Sequence, residues 1–505
     1  MLAILIPLPL LFAAVVVPLV GFWRPRYAFA ASLAGVLPSC AAAFLAVIET
    51  LDGSRIRHEL GGWAPPLGIE YLVDQPAAFI SAVLLTVATL VLIATRRTAE
   101  VEFEGRLGLF YGLALLVLAG IVGMVVTHDL FNLFVFMEIS SVAAYALVFA
   151  GGPRGMLAGF RYLILGSIGG SFYLLGVGFL YFTTGSLNMT DVSGLLEEQT
   201  GSRAVAGGAI FIVVGLGLKM ALFPLHLWLP DAYTYAPSAV SALIAPVMTK
   251  AAAFAMFRMI VSVFPPGYLT DEVPVGTALV ALGLTGMIGG AVLAVSQTDY
   301  RRMLAYSSIS QLGLIGAALG LATPLALAVA LLHIVNHAVM KACLFLVAVS
   351  VRFRTSSSDV GAMTGLGKAM PATMGAFNLA ALGMIGVPPF AGFFSKIYLA
   401  QAGIELDNWL VVAMVLVASL ATAAYLLRVV ERAYLAGNDH QVAAKNDGES
   451  GVAGTAVATR VTTEVPLDML VPTLVLGLAS LVLGLANVAI LTEVLEPGVL
   501  AWREP

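Results

Sequence analysis

Five ionisable residues stand inside stretches that are otherwise apolar: Glu138, Lys219, Lys250, Lys341 and Lys396. An ammonium near the centre of a bilayer costs about 2.5–3.5 kcal/mol on insertion scales, so each such residue is a functional candidate. Burial disfavours the charged form of a lysine and a neighbouring carboxylate favours it, so a buried Glu/Lys pair can work as a proton switch. Glu138 and Lys219 are the candidates for that pair; a static ion pair between helices is the alternative. In LLHIVNHAVMKACLFL, His333, His337 and Lys341 stand at i, i+4 and i+8, which puts three titratable groups on one helix face. This stripe suits a proton relay, with hydrogen-bonded buried histidines as the plainer reading. The HxxxH spacing also suits a metal, but no HExxH glutamate accompanies it and Lys341 sets a cation beside the ion. Neither a metal nor a cofactor is therefore expected.

Two of the lysines lie near helix breakers. GLGLKMALFPLHLWLPDA places Pro224 and His226 after Lys219, and GMIGVPPFAGFFSK places Pro388 and Pro389 before Lys396. Proline removes a helix hydrogen bond and frees a carbonyl, which a membrane tolerates only against protein or a hydrated cavity. Water-accessible pathways are expected there, with a simple kink as the alternative.

The elements that must position these residues follow from composition. The chain has 505 residues, 60% hydrophobic and 11% charged, against about 25% charged in soluble domains. It belongs in a lipid bilayer. A net charge of -4 gives no basic face for phosphates, which excludes a nucleic-acid partner. Cys40 and Cys343 lie in apolar stretches without CxxC spacing, so no disulfide framework or cysteine metal site is expected. Apolar runs predict fourteen spans, near residues 2–22, 28–49, 73–95, 106–126, 129–150, 156–182, 205–228, 237–263, 274–296, 303–322, 324–350, 371–402, 409–431 and 468–492. No Lys or Arg precedes Arg24, so the first run reads as a retained span and not a cleaved signal.

Basic residues test the count. Loops after odd-numbered spans, with their helix ends, hold sixteen: Arg24, Arg26, Arg96, Arg97, Arg106, Arg154, Arg161, Arg301, Arg302, Arg352, Arg354, Lys368, Arg428, Arg432, Lys445 and Arg460. Loops after even-numbered spans hold three, Arg55, Arg57 and Arg203. The positive-inside rule then puts both termini outside the cytoplasm. Arg258 is expected near an outer helix end and Arg503 in the C-terminal tail. The polar stretches 183–204 and 436–466 read as surface connections, leaving residues 1–505 as a single membrane domain. The proline breaks lie five spans apart, on opposite membrane orientations, which suggests two inverted five-helix repeats, 106–263 (spans 4–8) and 274–431 (spans 9–13). GSIGGS at 166–171 lacks the ending of a phosphate loop and reads as close helix packing. Trp63 and Trp228 read as interface anchors.

Five segments resemble one family: HDLFNLFVFMEISSVAAYAL, ALFPLHLWLPDAYTYAPSAVSALIAPVMTK, RRMLAYSSISQLG, LLHIVNHAVMKACLFL and GVPPFAGFFSK, within about 105–430. Their order and spacing are similar to those of the antiporter-like membrane subunits of Mrp-type Na+/H+ antiporters, respiratory complex I and membrane-bound hydrogenases. The resemblance implies a prokaryotic inner-membrane protein of fourteen helices with an inverted repeat, working in a hetero-oligomeric complex. It also implies that Glu138 pairs with Lys219, and that Lys250, His333, His337, Lys341 and Lys396 continue the ion pathway. Within the family, the resemblance is strongest to the D-type component of the Mrp antiporter. Lys396 stands where one complex I subunit type has glutamate, and the lateral helix and added spans of the larger subunits are missing. The quinone-side complex I subunit shares the lysine and the short tail. The expectation is a proton-translocating subunit of a Na+/H+ antiporter, without cofactors and forming no covalent bonds, with a redox-driven proton pump as alternative. Glu138, Asp129 and Asp74 are candidate Na+ ligands.

Overall fold

A computed structural model describes residues 1–435 and 463–502. Without water to satisfy peptide groups, a spanning segment must bond its own backbone, so the apolar runs form helices. The first six spans are α1 (Leu8–Trp23), α2 (Ala28–Glu49), α3 (Gln75–Ala94), α4 (Leu107–Val126), α5 (Leu130–Phe149) and α6 (Gly152–Thr184). The seventh is split into α7 (Arg203–Lys219) and a short α8 (Leu229–Tyr235). Four unbroken spans follow, α9 (Ser238–Arg258), α10 (Val275–Val295), α11 (Tyr300–Leu321) and α12 (Pro324–Thr355). The twelfth is split into α13 (Pro371–Ile385) and α14 (Ala391–Glu405), and α15 (Trp409–Val430) and α16 (Leu467–Leu485) complete the set. Twelve helices of the described residues are long and apolar enough to cross a membrane, and the two split spans bring the architecture to fourteen. This is a multi-pass membrane protein of the expected helical class.

Helix starts are fixed by side-chain acceptors. Asp74, Asp129, Asp299, Thr323 and Asn408 each accept the N–H three residues on, satisfying a donor that has no partner inside the helix. Two caps come from distant segments of the chain. Glu102 accepts from Ser238 and Ala239 at the start of α9, at 2.8 and 3.1 Å. Glu464 accepts from Ala372 and from both the N–H and hydroxyl of Thr373 at the start of α13.

The centre of the molecule is α12, in which every residue from Ala326 to Val351 is buried. α9 is nearly as enclosed, whereas α1, α2 and α15 show apolar side chains such as Phe12, Leu45 and Leu420 to their surroundings. The loop arginines gather on one face: Arg97 pairs with Asp468, Arg161 and Arg302 both meet Asp231, and Arg428 donates to the carbonyls of Val295 and Gln297. Lys445, Arg460, Arg503 and most of the 436–466 connection lie outside the described residues.

Two expectations are amended. A two-stranded antiparallel ribbon, β1 (Ile56–Glu59) with β2 (Glu70–Val73), joins α2 to α3 on the face opposite the arginines. β2 is buried along its length and hydrogen-bonds to the chain before α5, where the Glu70 carbonyl accepts from His128 N–H at 2.9 Å. Arg258 ends α9 on the ribbon face, as expected, but it is 1% exposed and pairs with Asp74 through both terminal nitrogens, at 2.6 and 2.7 Å. Trp228 is not an interface anchor. At 1% exposure it lies in the core, because the break in the seventh span turns it inward, whereas Trp63 is 67% exposed.

Candidate functional site

The break that ends α7 delivers Lys219. The helix stops at this residue, Ala221 takes a left-handed conformation at φ 61°, and Pro224 falls in the non-helical stretch before α8. The ammonium of Lys219 meets three oxygens of α5: Glu138 Oε1 at 2.7 Å, Ser141 Oγ at 2.8 Å and Tyr145 Oη at 3.4 Å. Spacings of three and seven residues put these groups on one helix face. α6 approaches that face on glycines. A Cβ at Gly170 would collide with the Glu138 carboxylate, and one at Gly166 with the Tyr145 hydroxyl. GSIGGS therefore packs closely, as expected, and the space it leaves is filled by the site itself.

Glu138 and Lys219 are unequal in enclosure. The lysine side chain is 6% exposed and the glutamate 26%. The carboxylate sits about 13 Å along α5, beside the exposed apolar side chains of Val135 and Val142. It opens onto the flank of the molecule at membrane depth.

The other lysines are held by neutral oxygens. Lys250 on α9 donates to the Ala245 carbonyl at 2.9 Å and to Thr249 Oγ1 at 3.3 Å. Lys341 on α12 donates to the Leu304 carbonyl at 2.7 Å and to Ser307 Oγ. Lys396 on α14 donates to the Met384 and Ile385 carbonyls, both at 2.9 Å. Those two carbonyls end α13, where Gly386 at φ 89° turns the chain and Pro388 and Pro389 prevent helix from resuming. Each break thus places a lysine at a helix C-terminus, where the backbone dipole favours a cation.

Between Lys250 and Lys396 lies the histidine pair. His333 Nδ1 meets Ser395 Oγ at 2.8 Å and its Nε2 meets Gln311 Oε1 at 3.1 Å, so α12 is joined to both α14 and α11. His337 is stacked one turn away, with ring centroids 5.9 Å apart. Both of its ring nitrogens are buried without a hydrogen-bond partner among the described residues. Buried polar groups are normally satisfied, so this imidazole is the member of the row with capacity to take up or pass on a hydrogen bond. The helical spacing brings the expected stripe together with one difference. His333, not Lys341, adjoins the residue next to Lys396, while Lys341 turns toward Leu304 and Ser307.

The candidate sodium ligands do not converge. Asp74 is taken by Arg258, Asp129 caps α5, and Glu138 holds Lys219. Sequence reasoning passed over Ser141, Tyr145, Gln311 and Ser395; His226, noted after Lys219, is buried and lines a cavity of about 500 Å³ with Arg161, Asp231 and Arg302. Ser141 and Tyr145 stand three and seven residues after Glu138, the signal by which they could have been found.

Comparison with known proteins places the whole chain, not the individual side chains, in a family. The family model described as NADH:quinone oxidoreductase/Mrp antiporter, TM, matches residues 127–422. The chain is 45% identical over 480 residues to NADH-quinone oxidoreductase subunit N of Desulforudis audaxviator, covering 94% of this chain and 93% of that one. It is 34% identical over 402 residues to the D-type component of the Na(+)/H(+) antiporter of Alkalihalophilus pseudofirmus, covering 79% of each. A chain of the Mrp complex from Dietzia sp. DQ12-45-1b superposes with a TM-score of 0.87 at 26% identity, covering 100% of this chain and 97% of that one. The chain belongs to the NADH:quinone oxidoreductase/Mrp antiporter transmembrane family.

Proposed function

We propose that this chain is the proton-translocating subunit of a multisubunit Na+/H+ antiporter, with its termini on the non-cytoplasmic side of a prokaryotic inner membrane. The observation that carries this reading is the Lys219–Glu138 pair, a buried ammonium at a helix break joined to a carboxylate that opens sideways at membrane depth. Such a group is costly against lipid, so a neighbouring subunit covers that flank. Protons reach Lys219 beside the first break, cross by way of Lys250, His337 and His333, and leave at Lys396 beside the second. Lys341 adjusts the row by its charge. Glu138 resets Lys219 through its own approach and withdrawal.

The two interrupted helices also support the inverted repeats 106–263 and 274–431. α7 enters from the ribbon face, and α13 enters from the arginine face, where Glu464 caps it. The antiporter setting draws support from the Alkalihalophilus pseudofirmus relative and the Mrp superposition. A second reading, the same module driven by electron transfer in a respiratory complex, is favoured by the 45% identity to a quinone oxidoreductase subunit N.

Two experiments test these readings. Lys219→Ala and Glu138→Ala are expected to assemble normally and lose proton transport; full activity in both assembled variants refutes the mechanism. Purification of the native complex with mass spectrometry of its partners separates the settings. Small membrane subunits without flavin or iron-sulfur proteins support the antiporter and lead to Na+-dependent proton flux. Copurifying redox subunits overturn it in favour of the respiratory pump.

A further inference from the structure

Where α7 stops, the carbonyl of Leu218 takes two donors. One is the backbone N–H of Ala221 at 3.1 Å, part of the turn itself, and the other is the indole Nε1 of Trp228 at 2.9 Å. Trp228 lies ten residues on, just before α8, so this bond spans the whole non-helical stretch. Its ring is stacked flat on Tyr162 of α6, with centroids 4.1 Å apart and planes within 2°. Tyr162 in turn meets Tyr145 of α5 edge-on at 4.5 Å, and the Tyr145 hydroxyl lies 3.4 Å from Lys219 Nζ. The contacts close on themselves: from the backbone beside Lys219 through Trp228, Tyr162 and Tyr145 to the ammonium of the same lysine. All three rings are at most 3% exposed.

We infer that Trp228 is a positioning residue for Lys219. It fixes the end of α7 against the same aromatic stack that supplies one of the oxygens around the ammonium. The inference rests on the role of Lys219 given above. An aromatic stack in the core is rigid because each ring has only two side-chain torsions and little space to turn. Backbone and side chain of Lys219 are thereby referred to one body, and the distance to Glu138 on α5 is set by how that body sits. Tyr233 of α8 continues the row, meeting Trp228 edge-on at 6.3 Å, so movement of the second half-helix reaches the lysine through the same ring.

The test uses Trp228→Phe, which keeps one aromatic ring to stack on Tyr162 but removes the N–H together with part of the indole, and Tyr162→Phe, which retains both stack and bond. Both are made in the full complex, with assembly followed by copurification and with Lys219→Ala as reference. Trp228→Phe is expected to assemble, to slow proton flux about fivefold, the equivalent of one net hydrogen bond, and to displace the pH profile. Tyr162→Phe is expected to keep wild-type rate and profile. An assembled Trp228→Phe with unchanged rate and profile overturns the inference while Lys219→Ala remains inactive. Failure of both Trp228→Phe and Trp228→Tyr to assemble, with Tyr162→Phe intact, also overturns it, since the indole then serves the fold. If Lys219→Ala is itself fully active, the underlying proton-switch reading is what fails.

Discussion

At the scale of single residues, the site depends on side chains that are absent as much as on those present. Gly170 leaves room for the Glu138 carboxylate, the far end of a flexible side chain. Gly170→Ala is therefore expected to displace that carboxylate without unfolding α6, lowering proton flux about tenfold or more while assembly persists. Gly178→Ala is the matched control, since a Cβ there meets nothing within 4 Å; equal flux in the two variants counts against a close-fitted pair. The lysines, the glutamate and the histidines were legible because a charge in an apolar run has few explanations. Ser141, Tyr145 and Trp228 were not. Hydroxyls and indoles are common in membrane helices; the spacing from Glu138 puts Ser141 and Tyr145 on its helix face, but it does not say which residues of that face meet a lysine from another span.

At the scale of elements, span positions were legible to within a few residues at most ends, because helix ends are set where apolar runs meet capping groups. The length of each interruption was not. The expected seventh span at 205–228 ends as helix at Lys219, and the twelfth at 371–402 is divided after Ile385. Proline marks where a helix cannot continue, but how far it unwinds is decided by carbonyls that find other donors, such as Trp228 and Lys396. The distant cap on α13 offers a test. Glu464→Ala removes an acceptor from Ala372 and Thr373, and loss of an N-cap typically costs about 1 kcal/mol. Thermal inactivation of the purified complex is expected about one degree lower, with restoration in Glu464→Asp. An unchanged midpoint excludes this cap as a stabilising contact.

At the scale of the whole molecule, hydropathy alone could not tell the enclosed α12 from the peripheral α2, because lipid and protein interior are equally apolar. The structure ranks them, and it places a titratable group in the ribbon face that ties several elements together. His128 is fully buried before α5, with Nε2 2.8 Å from Thr190 Oγ1 and its ring 5.4 Å from Trp502. Burial first, and then the charge of Arg258, push its pKa from 6.5 down to about 3, against the opposing pull of Asp74. The unfolded chain takes up a proton below about pH 6.5 that the folded chain refuses until about 3. Stability from this group is complete above the higher value and falls by roughly 1.4 kcal/mol per pH unit between the two. Melting of the solubilised complex should therefore lose stability faster from pH 6 to 4 than melting of His128→Gln; parallel curves exclude the effect. The depth of the lysines has a separate electrical consequence. Lys219 ends a helix of 17 residues from one face, and Lys250 lies about 18 Å along α9 from the other. Lys396 follows a break reached after 15 residues of α13. All three stand well inside the helical layer, and on the route proposed above a proton passing between them moves mainly along the membrane plane, with little work against the transmembrane voltage. The ~2.3 kcal/mol per charge for each 100 mV falls on the access routes beside the two breaks, and voltage should gate entry and exit while leaving the lateral transfer electrically silent.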